Sequence, residues 1–296
     1  MSVDTVAVTG GNGTIGRTLL AELNDHGYHT VNLNRGRRRE DEADGFRRTD
    51  LTDAGEVYGS LAACDADAVV HLGMIPTPEN TPEHVTYESN AMSTYHVCEA
   101  AAGLDIDDVV LASSLCAKGA GFEDRRVPVD YLPIDEAHPL RPSTPYGMGK
   151  EALERIADGF ARRDGGPANI ASLRYPWVLT EADIEETFVG EDRSLAGIED
   201  VRGLQSERNA MFSYCHIDDA MRLTRLAMEA DHSGHERFYV SADDTLTSTP
   251  TPDVIERCYE ETDVVADLSG HDALIDTSKA RELLDWTPEH SWRESV

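Results

Sequence analysis

Lysine is nearly absent from this chain. Of 296 residues only Lys118, Lys150 and Lys279 carry an ammonium group, and arginine supplies the other 26 − 3 = 23 basic side chains. Against these stand 56 acidic residues, which leaves a formal net charge of −30. Such a polyanion is repelled by nucleic acid and by anionic membranes, so neither is expected as a partner. The acids are spread along the chain and do not form a tail. Their mutual repulsion is tolerable where the Debye length falls to about 3 Å, as at molar salt, so a halophilic origin is expected from charge alone. Long apolar runs are missing too: no stretch of about 18 such residues exists to span a bilayer. The first strand starts within a few residues of Met1, which leaves no room for a signal peptide in this sequence, and the expected location is cytoplasmic. Cysteine is sparse and unpatterned. Cys64, Cys98, Cys116, Cys215 and Cys258 show no CxxC or CxxH spacing, so neither a zinc site nor a disulfide framework is indicated.

What is present is a 40% hydrophobic content, enough for a full core. In the first half, apolar runs alternate with amphipathic stretches. This pattern predicts an α/β fold: a Rossmann-type, doubly wound parallel sheet. Strands are read at Val6–Thr9, Thr30–Asn34, Ala68–Leu72, Asp108–Ser113 and Ala168–Tyr175, with long helices near Pro82–Ala102 and from Tyr146 onward. Residues 119–144 carry no clear period and read as a long loop over the site, with a lid as one role. The domain reading is a nucleotide-binding domain over residues 1–176 and a small, mainly substrate-binding C-terminal lobe over 177–296. Some elements of the second part are expected to return to the main sheet.

The segment Thr9–Gly16 (TGGNGTIG) places Gly10, Gly13 and Gly16 at G-x-x-G-x-x-G spacing between a strand and a helix. Glycine permits the turn and lets backbone approach a pyrophosphate. The helix start, with Thr14 and Ile15, offers N–H groups and a favourable dipole. Asn34 then closes the second strand, followed by Arg35, Arg37, Arg38 and Arg39. An acid at this point would repel a 2′-phosphate, whereas Asn plus Arg favours NADP, with NAD still possible. The competing reading is that these arginines offset the acids at 40–42. Asp50 and Leu51 are expected at the adenine.

The second motif is Tyr146–Lys150 (YGMGK). Ten tyrosines and three lysines would give a chance Tyr-x-x-x-Lys only about 0.1 times in a chain of this length. A phenol with a pKa near 10 is a poor base at neutral pH. Lys150, one helical turn on, favours the phenolate and can reach the nicotinamide ribose. Ser113-Ser114 end a buried strand where a hydroxyl can hold the substrate oxygen. Met74, Leu115 and Cys116 are placed with Ser114 and Tyr146 on the substrate side, although Cys116 also reads as a small buried hydrophobe. His71, inside an apolar strand, reads as a satisfied core residue. His216 reads as the approach to a helix start, and with no third ligand at motif spacing no metal is expected.

Taken together, these residues resemble the extended short-chain dehydrogenase/reductases, the NAD-dependent epimerase/dehydratase group. The resemblance is carried by TGGNGTIG, DLTD (50–53), HLG (71–73), SSLCAKG (113–119), PIDEAHPLRPSTPYGMGK (133–150), LRYP (173–176), HIDD (216–219) and DTSKARELLDWTP (276–288). It implies that Ser114, Tyr146 and Lys150 form the catalytic set. It also implies that Leu72, Gly73, Tyr175 and Pro176 line the cofactor, that Asn90 orders the site, and that the chain forms a homodimer or higher oligomer.

Two departures narrow the substrate. Phe212 stands where nucleotide-sugar enzymes of the group carry a diphosphate-clamping arginine, and Ala117-Lys118-Gly119 replaces the usual Val-Tyr-Gly. The segment 180–186, where uronate enzymes place an arginine, is acidic here. The expected activity is therefore oxidation of a free neutral sugar at its anomeric carbon, as in an aldose 1-dehydrogenase, with L-arabinose the first candidate. The alternatives are a nucleotide-sugar epimerase or dehydratase with tightly held NAD, and a non-catalytic NADP-binding regulator.

Overall fold

A computed structural model describes residues 3–39, 42–76, 81–201 and 203–294. Glu40 and Asp41, invoked above for a local excess of acid, lie outside the described residues. The first half alternates β1 (Thr5–Thr9), α1 (Thr14–Asp25), β2 (His29–Asn34), β3 (Gly45–Arg48), α2 (Ala54–Cys64), β4 (Ala68–His71), α3 (Glu83–Gly103) and β5 (Asp108–Ser114). After β6 (Tyr131–Leu132) come α4 (Pro145–Ala161), β7 (Asn169–Tyr175) and β8 (Trp177–Leu179). Next are α5 (Glu181–Phe188), α6 (Leu195–Val201), α7 (Leu204–Asn209), β9 (Tyr214–His216), α8 (Ile217–Glu229) and β10 (Gly234–Tyr239). The remaining elements are α9 (Thr251–Cys258), β11 (Asp263–Val264) and α10 (Ser278–Leu284).

Seven strands form one sheet in the order β10-β7-β5-β4-β1-β2-β3, and the pairs β1–β2, β2–β3, β1–β4 and β4–β5 are parallel. The central strands are apolar on both faces, since Val6, Ala7, Val8, Val69 and Val70 are all fully buried. That is the demand of a sheet covered by helices on either side, and this is the Rossmann-type α/β fold expected from the alternation. From β1 the chain steps outward to β2 and β3, then returns to place β4 on the other flank of β1. The reversal makes the β1/β4 junction the switch point, where open α/β sheets bind ligands at the carboxyl ends of their strands.

Two compact units are interleaved along the chain. The first holds residues 1–113, 148–173 and 221–237, and the second holds 114–147, 174–220 and 238–296. This differs from the single break expected at 176: the chain crosses several times, and 114–147 belongs to the second unit. Each unit has its own core. That of the first includes Val31, Leu33, Val97, Leu111, Leu153 and Phe160. That of the second includes Leu132, Phe188, Phe212, Tyr214, Tyr259 and Trp292, with Phe188 stacked on Trp292 at 4.8 Å between ring centroids.

The aperiodic 119–144 stretch is built into the second unit and does not lie loose over it. Val127, Leu132 and Ile134 are fully buried, and Arg141 pairs with Asp130 through two 2.8 Å bonds. Its packing uses scattered anchors, which leave no period to read. Among the described residues no helix is long and apolar enough to cross a membrane, and none of the five cysteines is in a disulfide.

Candidate active site

Gly10 follows β1 with φ +78°, and a Cβ there would lie 2.9 Å from the Gly73 backbone. Across the switch point the Gly73 N–H donates to Thr9 Oγ1 at 3.0 Å. A Cβ on Gly73 would in turn meet Leu51 Cδ1 at 2.4 Å. At Gly10 and Gly73 the segments after β1 and β4 therefore meet backbone to backbone. Gly13 is the N-cap of α1, offers no side chain to the first-turn N–H groups of Thr14, Ile15 and Gly16, and is followed by a first turn without acid. That combination suits an anion, because exposed amide dipoles and the helix end act together.

Asn34 closes β2, and Arg35, Arg37, Arg38 and Arg39 are exposed beyond it. Asn12 Nδ2 donates to the Arg37 carbonyl at 3.2 Å, which ties the basic segment to the glycine turn. Asp50 Oδ1 accepts from the Thr52 N–H at 3.0 Å and from its hydroxyl at 2.8 Å, and those bonds hold its carboxyl below the usual carboxylate range. This oxygen is spent on the turn into α2. Asn90 is fully buried and grips the Ile75 backbone from both sides, accepting from its N–H at 2.8 Å and donating to its carbonyl at 3.1 Å. It orders the chain after β4 by fixing backbone.

Ser113 and Ser114 point to different partners. Ser113 Oγ donates to Glu154 at 2.8 Å within the first unit. Ser114, in the second unit, hydrogen-bonds the Tyr146 phenol. Its Oγ also lies 3.4 Å from the Tyr175 carbonyl and accepts from Cys116 N–H at 3.1 Å. Ser114 is thus the serine of the pair with Tyr146. Burial pushes the Tyr146 phenol up, Cys116 adds to the rise, and the Ser114 hydrogen bond opposes it. Lys150 follows one turn along α4, on the same helix face as Tyr146. Its Nζ donates to the Ala112 carbonyl and lies 2.8 Å from Met74 Sδ. Met74, expected on the substrate side, touches the lysine. Leu115, expected there too, is 2% exposed and fills the second unit's core, so its volume serves packing.

Phe122 was not singled out from sequence. Its ring sets an edge on Tyr146 at 5.6 Å between centroids, and a lone aromatic in an aperiodic loop carries no signal of such a contact. His71 is buried with both ring nitrogens engaged, Nδ1 by Thr9 Oγ1 at 2.8 Å and Nε2 by Ser93 Oγ at 3.3 Å. Burial, aided by the Lys150 charge, lowers its pKa to about 3, so it stays neutral as a core residue.

Residues 6–241 match the NAD dependent epimerase/dehydratase family. The chain belongs to this family. A putative UDP-glucose 4-epimerase of Methanocaldococcus jannaschii is 30% identical over 182 residues, 60% of this chain and 56% of that protein. An L-arabinose 1-dehydrogenase (NAD(P)(+)) of Haloferax volcanii is 30% identical over 198 residues, 64% of this chain and 73% of that protein. A glucuronic acid dehydrogenase structure from Chromohalobacter salexigens superposes with a TM-score of 0.66 at 21% identity, covering 100% of this chain and 89% of that one, and shares the fold. Other relatives are UDP-glucose 4-epimerases.

The two departures from the family pattern are both buried. Phe212 has no exposure and a φ of +49°, so the position offers no cation to a diphosphate. Lys118 is also fully buried, with Nζ donating to the Asn209 carbonyl at 3.2 Å. Burial first, then the charges of Arg208 and Arg141, lower its pKa to about 7. A base depressed in the folded state contributes stability that is complete above its unfolded pKa and is lost as pH falls toward the folded value. Lys118→Met is therefore expected to be more stable than wild type by about 1–4 kcal/mol at neutral pH. The gain should shrink toward zero as pH rises to about 10. Urea unfolding at several pH values checks this; a pH-independent gain would mean that the ammonium is not the cause.

Proposed function

We propose that this family member is an NADP-preferring sugar 1-dehydrogenase acting on a free neutral aldose, with L-arabinose the first substrate to test. The observation that carries the reading is the Ser114–Tyr146 hydrogen bond on a helix that presents Lys150 one turn later. Tyr146 as phenolate takes the proton of the anomeric hydroxyl while Ser114 holds that oxygen. A bound nicotinamide would supply the acceptor for the anomeric hydride, and the sugar would then leave as its lactone. Lys150 holds positive charge beside that phenolate and favours its ionised form before the proton is taken. The buried Phe212 supports a free sugar over a nucleotide sugar, because a diphosphate there would lack its charge-assisted contact. The test is a screen of aldoses with NADP and NAD in molar salt, following cofactor reduction. No reduction with any aldose removes this assignment.

The relatives named as UDP-glucose 4-epimerases favour a second reading, a redox isomerase of nucleotide sugars. It requires NAD that stays bound through purification and no accumulation of reduced cofactor, and the same preparation decides between the two. NADP preference is tested separately. Arg35→Glu is expected to cut kcat/KM with NADP by about 10–100-fold, the loss of one charge-assisted phosphate contact, and to spare NAD. Equal losses with both cofactors would mean that Arg35 does not read the 2′-phosphate.

A further inference from the structure

In a chain with 56 acidic residues, positions 26–39 hold none and end in Arg35, Arg37, Arg38 and Arg39. Positions 35–39 bend away from β2 and belong to no helix or strand. An exposed segment of this kind loses conformational freedom when it closes on a ligand, so whatever holds it beforehand adds to affinity. The side chain that holds it is Asn12, from the glycine turn. We propose, on the NADP reading above, that Asn12 selects the cofactor by position: it clamps the bend at 35–37 to the turn, so that Arg35 and Arg37 meet a 2′-phosphate already in place.

The half-buried Asn12 amide is engaged at both ends. Its Nδ2 donates to the Arg37 carbonyl at 3.2 Å, and its Oδ1 accepts from Asn32 Nδ2 at 3.0 Å. The opposite amide orientation would set an oxygen against the Arg37 carbonyl, so the donor must face the basic segment. Asn32 is a firm base for the clamp: it is fully buried in β2, in register with Val8 of β1 on one side and Phe46 of β3 on the other. Arg17 Nη1 lies 3.4 Å from the Asn12 carbonyl and holds the turn from α1. A Cβ on Gly36 would stand 3.9 Å from Asn12 Nδ2, so the amide touches the bend as well as bonding it. All of these residues belong to the first unit.

Beyond the clamp, the Arg38 guanidinium donates to the Ala43 carbonyl and holds the far side of the segment. Arg35 and Arg37 are exposed on either side of Gly36, on the stretch of backbone that Asn12 fixes. A ribose with a free 2′-hydroxyl offers these guanidinium groups no charge, whereas a 2′-phosphate does. Ordering the bend in advance therefore helps NADP and leaves NAD nearly unaffected. Asn12 is a positioning residue: its amide holds the chain, and the guanidinium groups read the phosphate.

The test uses the full-length chain. Asn12 has no positive φ, so Asn12→Ala suits its backbone. Asn12→Ser, too short to reach the Arg37 carbonyl, is run beside it in case the alanine variant does not fold. With NADPH and NADH affinities read by cofactor fluorescence, each variant is expected to bind NADPH about 3–10-fold more weakly and NADH within about twofold of wild type. In a protein that already carries Arg35→Ala and Arg37→Ala, adding Asn12→Ala should change NADPH affinity by less than about twofold. Trypsin cuts after arginine, and in cofactor-free protein it should cut within 35–39 about 3–10-fold faster once Asn12 is replaced, with the sites mapped by mass spectrometry. Equal losses for the two cofactors, a loss that persists without the two arginines, or an unchanged trypsin rate each overturns the proposal while the NADP preference stands. Wild type that binds NADH as tightly as NADPH removes that preference and the proposal together, and leaves the sugar assignment untouched.

Discussion

Tyr146→Phe is expected to lower kcat for sugar oxidation by about 10²–10⁴-fold while KM moves only a few-fold. The substitution removes one oxygen from a buried ring and leaves its edge contact with Phe122 in place, so packing is nearly conserved. What is lost, in the proposed mechanism, is the proton acceptor. Ser114 cannot replace it: its hydroxyl lies 3.4 Å from the Tyr175 carbonyl, and a neutral serine hydroxyl is a far weaker base than a phenolate. A drop in kcat without a matching rise in KM marks an interaction made in the transition state alone. Steady-state rates at saturating sugar and cofactor measure it, and activity within tenfold of wild type would remove Tyr146 from the chemistry.

The same residue sets a pH dependence. Burial raises its pKa, so at neutral pH only a small fraction of the phenol is ionised in the cofactor-free protein. Oxidation needs the ionised form, so the rate should climb with pH as that fraction grows. The reverse reaction needs the neutral form and should not climb. Lys150 and the charge of an oxidised nicotinamide act in the opposite sense to burial, and the position of the rise reports their combined pull.

What the sequence made legible was local. The glycine turn and the Tyr-x-x-x-Lys pair are spaced by one turn of chain, and the sheet follows from alternating apolar runs whose period is short. Strand ends moved by a residue: Ala68–Leu72 was expected where Ala68–His71 is paired, and Asp108–Ser113 where the strand is Asp108–Ser114. The rest depends on contacts across long separations. That Ser113 turns to Glu154 and leaves Ser114 for Tyr146 is decided by a helix 41 residues away. The interleaving of two cores is invisible to any window of sequence, because residues 114–147 and 238–296 meet only after folding. The stacking of His216 on His290, 4.2 Å between ring centroids, is hidden for the same reason. No spacing rule connects residues that separate strands and loops bring together.

Gly10 and Gly13 separate what the turn does for the fold from what it does for a ligand. Gly10→Ala puts an L side chain at φ +78° and a Cβ 2.9 Å from the Gly73 backbone, which cannot rotate aside as a side-chain tip could. The left-handed conformation alone costs roughly 1–2 kcal/mol, and the overlap adds to it, so urea unfolding should show a loss of about 2–4 kcal/mol. Gly13 has φ −78°, and the nearest atom to an added Cβ is the Gly10 carbonyl oxygen at 3.5 Å, an ordinary contact. Gly13→Ala should therefore fold with stability within about 0.5 kcal/mol of wild type. Yet its methyl group would stand at the mouth of α1, where backbone must approach a pyrophosphate closely. The expected result is NADPH affinity reduced by about 10–100-fold in a protein that unfolds normally, read by cofactor fluorescence. If Gly13→Ala binds NADPH as wild type does, the phosphates do not lie on this helix end, and the glycine spacing serves the strand-to-helix turn alone.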